Sequence, residues 1–219
     1  GDVDILINNA GIVQGKLISE LDENFASKSY KVNFESHLWL IREFIEAMKK
    51  KNTGQIVSVA SMAGLAGNAY MSDYCASKFA AVGMNEALRI EMKYLNKNIV
   101  CTTICPYIIN TGMFEGARAS IIFPFLDQDY VVSRMISAIL QDEEEVSIPW
   151  IQGILAHIAK GILPSCINDQ IVWLLFGWDA MKTLHDKPKP ATVKNAKVID
   201  SERKREQINI GGKMTNKFD

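Results

Sequence analysis

The fold is decided by the stretch DILINNAG at residues 4–11, a short apolar run that ends in polar and small residues. Three later runs have a similar continuous apolar character, at residues 56–60, 99–104 and, more weakly, 146–148. Long stretches with helical spacing of apolar residues separate them. Strands that are apolar on both faces and alternate with helices are typical of a parallel sheet covered by helices on both sides. The sequence therefore predicts an α/β fold with a doubly wound parallel sheet.

Composition limits the classes of protein that this chain can belong to. It has 219 residues, 48% of them hydrophobic, which is enough to bury the core of one large domain. Its 24 Lys and Arg against 25 Asp and Glu give a net charge of −1, which argues against a general nucleic-acid binder.

Residues 182–219 differ from the rest of the chain in charge, with ten basic and five acidic side chains. We interpret them as a basic tail, disordered beyond about residue 186, and favour a solvated tail over a nuclear-localisation or membrane-surface role.

The cysteines and histidines give no sign of a metal site or a disulfide framework. None of the cysteines forms a CxxC pair, and each has apolar neighbours, so we expect buried thiols in a reducing compartment. The histidines have no acidic or cysteine partner at the spacing of a ligand set, so no metal is expected. The residues concerned are Cys75, Cys101, Cys105, Cys166, His37, His157 and His185.

Two predicted helices have faces of different character. The first has apolar residues at spacings of four and three, as one face of a helix requires. These residues are Phe34, Leu38, Ile41, Ile45 and Met48. The second helix is predicted to begin after Ser72 or Asp73, since both residue types are good N-caps. Its face of small residues consists of Ala76, Ala80, Gly83 and Ala87. Such a face lets another backbone come close, and either the sheet beneath or a second subunit could be its partner.

Residues 149–178 are the most apolar part of the chain. They contain a helical stripe from Ile151 to Ile162, a break at Pro164 and a second apolar cluster with two tryptophans at 171–178. Two interpretations stand open. The segment is either a helix hairpin that closes the core, or a lid over a lipophilic ligand or a segment in a membrane interface.

Tyr74 and Lys78 stand four residues apart near the start of a predicted helix, so they share a face. At about 6 Å and an effective dielectric constant near 20, an ammonium group stabilises a phenolate by roughly 3 kcal/mol, or about two pKa units. A tyrosine whose pKa falls from about 10 toward 8 is a usable acid and base near neutral pH.

Ser61 follows a predicted parallel strand, where open α/β sheets bind ligands, and its hydroxyl can hold a carbonyl or alcohol oxygen. Asn33 is a mediocre helix former inside a helix, which indicates a local role for its amide or a bent backbone.

Taken together, these features resemble the short-chain dehydrogenase/reductase family in its classical form. In chain order they are NNAG at residues 8–11, Asn33, Ser61, Tyr74-x-x-x-Lys78 and the loop from Pro106 to Thr111. Their order and spacing agree with the family from residue 4 to about residue 149. The runs at 73–83 and 105–116 are most similar to the epidermal retinol dehydrogenases and the 17-beta-hydroxysteroid dehydrogenases of lipid droplets, as is the apolar segment 149–178. The resemblance implies a Rossmann-like sheet.

What the resemblance implies chemically is hydride transfer between NAD or NADP, with NAD slightly favoured, and the carbon of a lipophilic alcohol. Tyr74 would take the hydroxyl proton as the general base, Lys78 would lower its pKa and hold the nicotinamide ribose, and Ser61 would fix the substrate oxygen. Asn33 would position a water in the proton relay. The other cofactor-binding residues implied are Asn8 and Ala10 on the adenosine side, with Ile109 and Thr111 at the carboxamide.

The chain departs from the family pattern in two places. Tyr107 stands where the family usually has glycine, which we expect to narrow the pocket. The glycine-rich turn that receives the pyrophosphate at a helix N-terminus does not occur in the chain. We therefore expect the sheet to be truncated before the first strands, with residues 1–181 as the C-terminal two-thirds of one domain. The isolated chain is expected to be a weak or inactive enzyme.

Three hypotheses for function follow. The leading one is an NAD(P)-dependent oxidoreductase for a retinol-like or steroid-like substrate. The second is a non-catalytic, truncated relative that acts at a lipid surface through residues 149–178 and the basic tail. The third, an α/β domain whose Tyr74 and Lys78 are surface groups, requires all the motif spacings to coincide by chance. The expected partners are a lipophilic small molecule, a membrane or lipid-droplet surface and a second copy of the chain. The expected location is the cytosolic face of the endoplasmic reticulum or a lipid droplet, or the cytoplasm if no anchor precedes the chain.

Overall fold

The computed structural model describes residues 2–120, 122–176 and 180–184, and a four-stranded parallel sheet lies at its centre. The strands are β1 (Ile5–Asn8), β2 (Gly54–Val59), β3 (Ile99–Pro106) and β4 (Glu145–Ile148), and they lie side by side in that order. In the register, Leu6 pairs with Ile56, Ile56 with Cys101, and Ile104 with Val146. The predicted parallel sheet is confirmed, and each strand lies within two residues of its predicted bounds.

Helices cover both faces of this sheet. Their bounds are α1 (Glu23–Tyr30), α2 (Ser36–Lys51), α3 (Ser72–Tyr94), α4 (Gln128–Leu140), α5 (Trp150–Ile162) and α6 (Ser165–Phe176). Because successive strand residues point to opposite faces, Ile56 and Val57 mark the two sides. Ile56 packs against α2 and α3 through Met48 and Met92, whereas Val57 belongs to the core cluster that includes Val131 of α4. The sequence pattern did not predict α4.

The sheet has an open region at β1. Within the described residues, β1 pairs with a strand on one side only. Leu6 packs into the core beside Ile56, but Ile5 and Ile7 are 48% and 51% exposed. The face that α4 covers at β3 and β4 is therefore bare at β1.

The predicted stripe of the first helix is wrong at one position. A π-helical turn, Lys31–Glu35, separates α1 from α2 and inserts an extra residue into the helical path. As a result Leu38 is 37% exposed, while Asn33 and His37 take the buried positions. A straight helix at 3.6 residues per turn could not predict this change of phase.

Helix α3 begins at Ser72, one or two residues earlier than predicted. Met71 is the N-cap residue and makes no side-chain cap bond. Asp73 instead accepts a hydrogen bond from Gln14 Nε2 at 3.1 Å. Of the small-residue face, Gly83 and Ala87 are exposed, so the sheet is not their partner and a second subunit stays a prediction.

Helices α5 and α6 are separated at Pro164, as the sequence predicted. They do not only close the core, because α5 also presents an exposed apolar face. Trp150, Ile154, Ile158 and Ile162 of α5 are all exposed, by 46–75%. Cys166 of α6 is also exposed, so the expectation that all four cysteines are buried fails there.

Part of the sequence predictions lies outside the described residues, including most of the basic tail at 182–219. None of the helices in the described ranges has the length together with the apolar composition that a bilayer crossing needs.

Candidate active site

The predicted site residues come from elements that meet at the carboxyl edge of the sheet. Asn8 ends β1, and Ser61 follows β2 by two residues. Ile109 and Thr111 follow β3. Tyr74 and Lys78 lie in the first turns of α3, and Asn33 lies in the π turn before α2. Since all four strands are parallel, these strand ends face the same side, where sheets of this kind bind ligands.

Lys78 is a buried amine directly beside Tyr74. Its side chain is 3% exposed, and its Nζ donates to the carbonyl oxygen of Val59 at 2.9 Å. The same Nζ lies 5.7 Å from the centroid of the Tyr74 ring. Burial lowers the pKa of Lys78 to about 8, and the nearby Cys105 thiol partly opposes this shift. An amine that is buried and still largely charged at neutral pH costs stability, which is typical of functional sites.

Tyr74 is held protonated rather than acidic. Its side chain is 4% exposed, and the edge of its ring packs against Phe114. Burial raises the pKa of Tyr74 to about 12, and the hydrogen bond with Ser61 lowers it by less. The predicted fall toward 8 is therefore wrong for the described residues, because burial removes water from around the phenolate. In this state the hydroxyl is a proton donor.

Asn33 fixes the loop that follows β1. Its Oδ1 accepts from the amide of Ile12 at 2.8 Å, and its Nδ2 donates to the carbonyl of Ile12 at 3.0 Å. The same Nδ2 donates to Ser77 Oγ at 2.9 Å, and Ser77 Oγ donates to the carbonyl oxygen of Tyr74 at 2.7 Å. The amide thus joins this loop to the first turn of α3. Its role in positioning a water stays a prediction.

The predicted cofactor residues form two groups. Asn8 is 3% exposed, and neither polar atom of its carboxamide has a hydrogen-bond partner among the described residues. Ala10 is exposed in the same loop. Ile109 is bridged to Leu126, and its carbonyl accepts from the Thr111 amide at 2.7 Å. No hydrogen bond in the described part of the chain links this second group to Tyr74 or Lys78.

The implied nicotinamide cofactor fits these residues. A buried carboxamide without partners, such as that of Asn8, is a polar group that awaits a ligand or water. Gly11 brings the loop close to the amine, since a Cβ added there would lie 3.4 Å from Lys78 Nζ. The site therefore offers an unpaired amide, an amine and close backbone approach on one side of the phenol.

Sequence reasoning missed His37. Its side chain is 1% exposed. Burial lowers the pKa of His37 to about 4, the charge of Lys78 lowers it further, and the Ala10 carbonyl raises it slightly. The ring is thus neutral and lies near the amine and the loop after β1. The available signal was its spacing: His37 lies four residues after Asn33 and so on the same side of a helix. The predicted apolar stripe instead placed Leu38 on the buried side.

An apolar pocket opens beside Ser61. Its volume is about 40 Å³, and the residues that line it include Ser61, Met62, Met71, Tyr107, Phe114 and Met181. Tyr107 is 5% exposed, and its ring packs edge-on against Phe123. Because Tyr107 is part of the wall, the expectation that it narrows the pocket agrees with its position. The arrangement places an apolar wall next to the hydroxyl groups of Ser61 and Tyr74.

Comparison with known proteins gives consistent matches. The family model described as short chain dehydrogenase matches residues 1–121. Epidermal retinol dehydrogenase 2 from Mus musculus is 43% identical over 167 residues, which cover 75% of this chain and 54% of the relative. Retinol dehydrogenase 10 from Xenopus tropicalis is 41% identical over 169 residues, which cover 75% of this chain and 49% of that protein. The chain spans about half the length of the curated relatives it matches.

Solved structures share the architecture. A short chain dehydrogenase/reductase from Burkholderia phymatum in complex with NAD matches with a TM-score of 0.65 at 22% identity, over 74% of this chain and 66% of that chain. A 4-hydroxyisoleucine dehydrogenase complexed with NADH matches with a TM-score of 0.56 at 25% identity, over 66% of each chain. The first likeness, at its low identity, establishes the fold alone.

Proposed function

This chain belongs to the short-chain dehydrogenase family, and from that premise we propose that the whole protein is an NAD(P)-dependent oxidoreductase for a lipophilic alcohol and its ketone or aldehyde. The observation that carries the proposal is the buried Lys78 amine beside Tyr74, with Ser61 hydrogen-bonded to the phenol. A buried charged group next to an apolar pocket destabilises the fold, and such groups are concentrated at functional sites. The relatives named retinol dehydrogenases support a retinol-like substrate, with a steroid as the alternative. The 4-hydroxyisoleucine dehydrogenase complexed with NADH, at 25% identity, supports NAD.

In the proposed mechanism Tyr74 exchanges a proton with the substrate oxygen, while Ser61 orients that oxygen by a hydrogen bond. The nicotinamide, when bound, accepts or donates the hydride. With its pKa near 12, Tyr74 carries a proton at neutral pH and can donate it to a carbonyl oxygen. Donation of the proton serves reduction, and oxidation requires the phenolate of Tyr74. Lys78 is proposed to stabilise that phenolate and to hold the ribose.

The cofactor-binding roles are proposed from position and chemistry. The unpaired carboxamide of Asn8 and the exposed Ala10 lie on the loop that passes Lys78. We assign this loop to the adenosine side, and Ile109 and Thr111, after β3, to the nicotinamide carboxamide. Asn33 is proposed to hold the loop in place.

Replacement of Tyr74 by Phe tests the proposal. Full-length protein would be assayed with retinol, a steroid alcohol and a fatty alcohol, each with NAD and with NADP. Tyr74→Phe should lower turnover by about 10²–10⁴-fold, because it removes the proton donor and acceptor. Tyr130→Phe is the matched control, since Tyr130 is 52% exposed on α4. Turnover by Tyr74→Phe at the rate of the control would refute the assigned acid and base.

A lipid surface is the second proposed partner, and it would also serve the non-catalytic alternative. The supporting observation is the exposed apolar face of α5, together with Trp173 and Leu174 of α6, which are 50% and 58% exposed. Exposed tryptophan beside aliphatic side chains is typical of helices that lie in a membrane interface. We propose the cytosolic face of the endoplasmic reticulum or a lipid droplet as the location on this basis.

Flotation with phosphatidylcholine vesicles and with triolein droplets tests the lipid surface. The double variant Ile154→Glu, Ile158→Glu should remain unbound where the parent protein floats, because two carboxylates would enter the apolar layer. Leu140→Glu is the matched control, since Leu140 is 77% exposed on a different helix. Equal flotation of all three proteins would end this proposal, whatever the outcome of the enzyme assay.

A homodimer stays a proposal, supported by the exposed Gly83 and Ala87 on α3. Light scattering of the protein and of Gly83→Arg would test it, because a long charged side chain should separate subunits that meet on this face. A monomer at all concentrations would exclude it.

A further inference from the structure

Residues 180–184 return to the active site after α6, and we call them the strap. Ala180 and Met181 are 5% and 2% exposed. The amide of Leu184 donates to the carbonyl of Met181 at 3.1 Å, so the strap forms a tight turn. Burial of this kind, in a segment outside any helix or strand, indicates a specific docking position.

The loop after β3 holds one side of the strap. The amide of Arg118 donates to the carbonyl of Ala180 at 2.8 Å, and Thr183 Oγ1 donates to the carbonyl of Gly116. Gly116 has a φ of +93°, and a Cβ there would come within 2.5 Å of the Thr183 carbonyl oxygen. Only glycine allows both this conformation and this approach.

The loop after β1 holds the other side. Gly15 has a φ of +66°, and a Cβ there would lie 2.5 Å from Leu184 Cδ2. Two glycines from two different loops therefore make close contact with the same short segment. The contact at Gly15 supports the docked position independently of the hydrogen bonds at Gly116 and Arg118.

The strap places one side chain in the pocket. Met181 lines it beside Ser61 and belongs to the same buried cluster as Tyr74 and Tyr107. The remaining space of about 40 Å³ has room for only a few water molecules. A bulky alcohol whose oxygen reaches Ser61 therefore competes with Met181 for this space.

Met181 is the part of the wall that can yield. Tyr107 and Met71 lie next to β3 and α3, where backbone hydrogen bonds of the sheet and helix fix them. The strap is held by the bonds to Arg118 and Gly116 and by the burial of Met181, without the backbone hydrogen bonds of a sheet or helix, so we expect it to open at lower cost than these elements. A methionine side chain also adapts its shape more easily than a branched or aromatic one.

We propose that the strap is the adjustable wall of the substrate pocket and that Met181 sets the size of the alcohol that reaches Ser61 and Tyr74. The proposal rests on the proposed function for its substrate class. The docking of the strap itself does not depend on catalysis, so it has a test of its own.

Amide hydrogen exchange of the full chain reports on docking. In the parent protein the Arg118 amide should exchange slowly, because the Ala180 carbonyl accepts its hydrogen bond. Gly116→Ala should speed this exchange by about tenfold or more, whereas Gly83→Ala should not, since an added Cβ at Gly83 meets nothing within 4 Å. Equal exchange at Arg118 in all three proteins would overturn the docked strap.

Substrate selection reports on Met181. Met181→Ala should raise the ratio of kcat/KM for a bulky cyclic alcohol over a short linear alcohol by about tenfold. Met84→Ala is the matched truncation, because Met84 packs in the separate cluster beneath α2 and α3. An unchanged ratio in Met181→Ala would overturn the proposal.

A binding measurement separates failure of the strap from failure of the enzyme. If no alcohol is turned over by any of these proteins, the proposed function fails, and the fluorescence of bound retinol replaces the rate assay. About tenfold tighter binding of retinol by Met181→Ala than by Met84→Ala would then support the strap. Equal affinity would overturn it.

Discussion

Replacement of Lys78 by Met should change how the stability of the fold depends on pH. Burial moves the pKa of Lys78 from its ordinary value near 10.5 to about 8, so folding disfavours the charged amine. At about 1.4 kcal/mol per pKa unit, this shift corresponds to about 3 kcal/mol of lost stability wherever both states are charged. Methionine fills a similar volume and carries no charge, so the variant lacks this penalty.

The direction of the effect follows from proton binding in the two states. Below about pH 8 Lys78 is charged in both the folded and the unfolded chain, and the penalty is complete. Between about pH 8 and 10.5 the unfolded chain binds the proton and the folded chain does not, so the penalty is relieved as pH rises. Relative to Lys78→Met, the parent protein should therefore gain about 2 kcal/mol in the free energy of unfolding from pH 7 to pH 10.

Urea denaturation of both proteins at several pH values between 7 and 10 measures this difference. The comparison is necessary because other buried groups act in the opposite direction. Burial raises the pKa values of Tyr74, Cys101 and Cys105 to about 12, so each makes the folded protein less stable as the unfolded group ionises. The contributions of Tyr74 and Cys101 occur in both proteins and cancel in the difference, whereas that of Cys105 is coupled to the charge of Lys78. Stability curves that stay parallel over this range would refute the buried, charged Lys78 and the argument built on it.

Three further predictions concern the surroundings of the site. Asn33→Ala should lower the free energy of unfolding by about 3 kcal/mol, because it leaves both polar backbone groups of Ile12 unpaired; a loss below about 1 kcal/mol in urea denaturation would contradict this. Gly64→Ala should cost about 1–3 kcal/mol, since its Cβ would lie 2.8 Å from a backbone oxygen of α3, and Gly67→Ala should cost little in the same assay because its Cβ meets nothing within 4 Å; equal losses would speak against this packing. For His37 the pKa near 4 means that the unfolded chain binds a proton between about pH 6.5 and 4 when the folded chain does not. His37→Leu should therefore avoid about 3 kcal/mol of the acid destabilisation of the parent protein, and identical acid unfolding curves would show that the ring is not buried and neutral.

The strands and the family were predictable because their signals are local. Short apolar runs bounded by polar and small residues mark β1 to β3, and the Ser61, Tyr74 and Lys78 spacings depend only on counting along the chain. The phase of α2 was not predictable in this way. It depends on the π turn around Asn33, which is stabilised by contacts with Ile12 and Ser77 that are distant in sequence.

The chemistry of the site was predictable in its residues but not in its electrostatics. The sequence places an amine near a phenol, and Coulomb attraction alone predicts a more acidic tyrosine. The burial of Tyr74 raises its pKa instead of lowering it, and this burial results from tertiary packing with Phe114 and its neighbours. The strap at 180–184 had no sequence signal either, because its partners Gly15 and Gly116 lie more than sixty residues away along the chain.

The bare face of β1 has a consequence for handling the protein. Within the described residues, one edge of β1 pairs with no strand; such an edge, next to the exposed Ile5 and Ile7, is a template on which a strand from another molecule can add. Concentrated samples should therefore lose material to β-rich aggregates that form by edge-to-edge growth. Ile7→Lys should reduce this aggregation, because the lysine charges of neighbouring strands would repel each other in the aggregate.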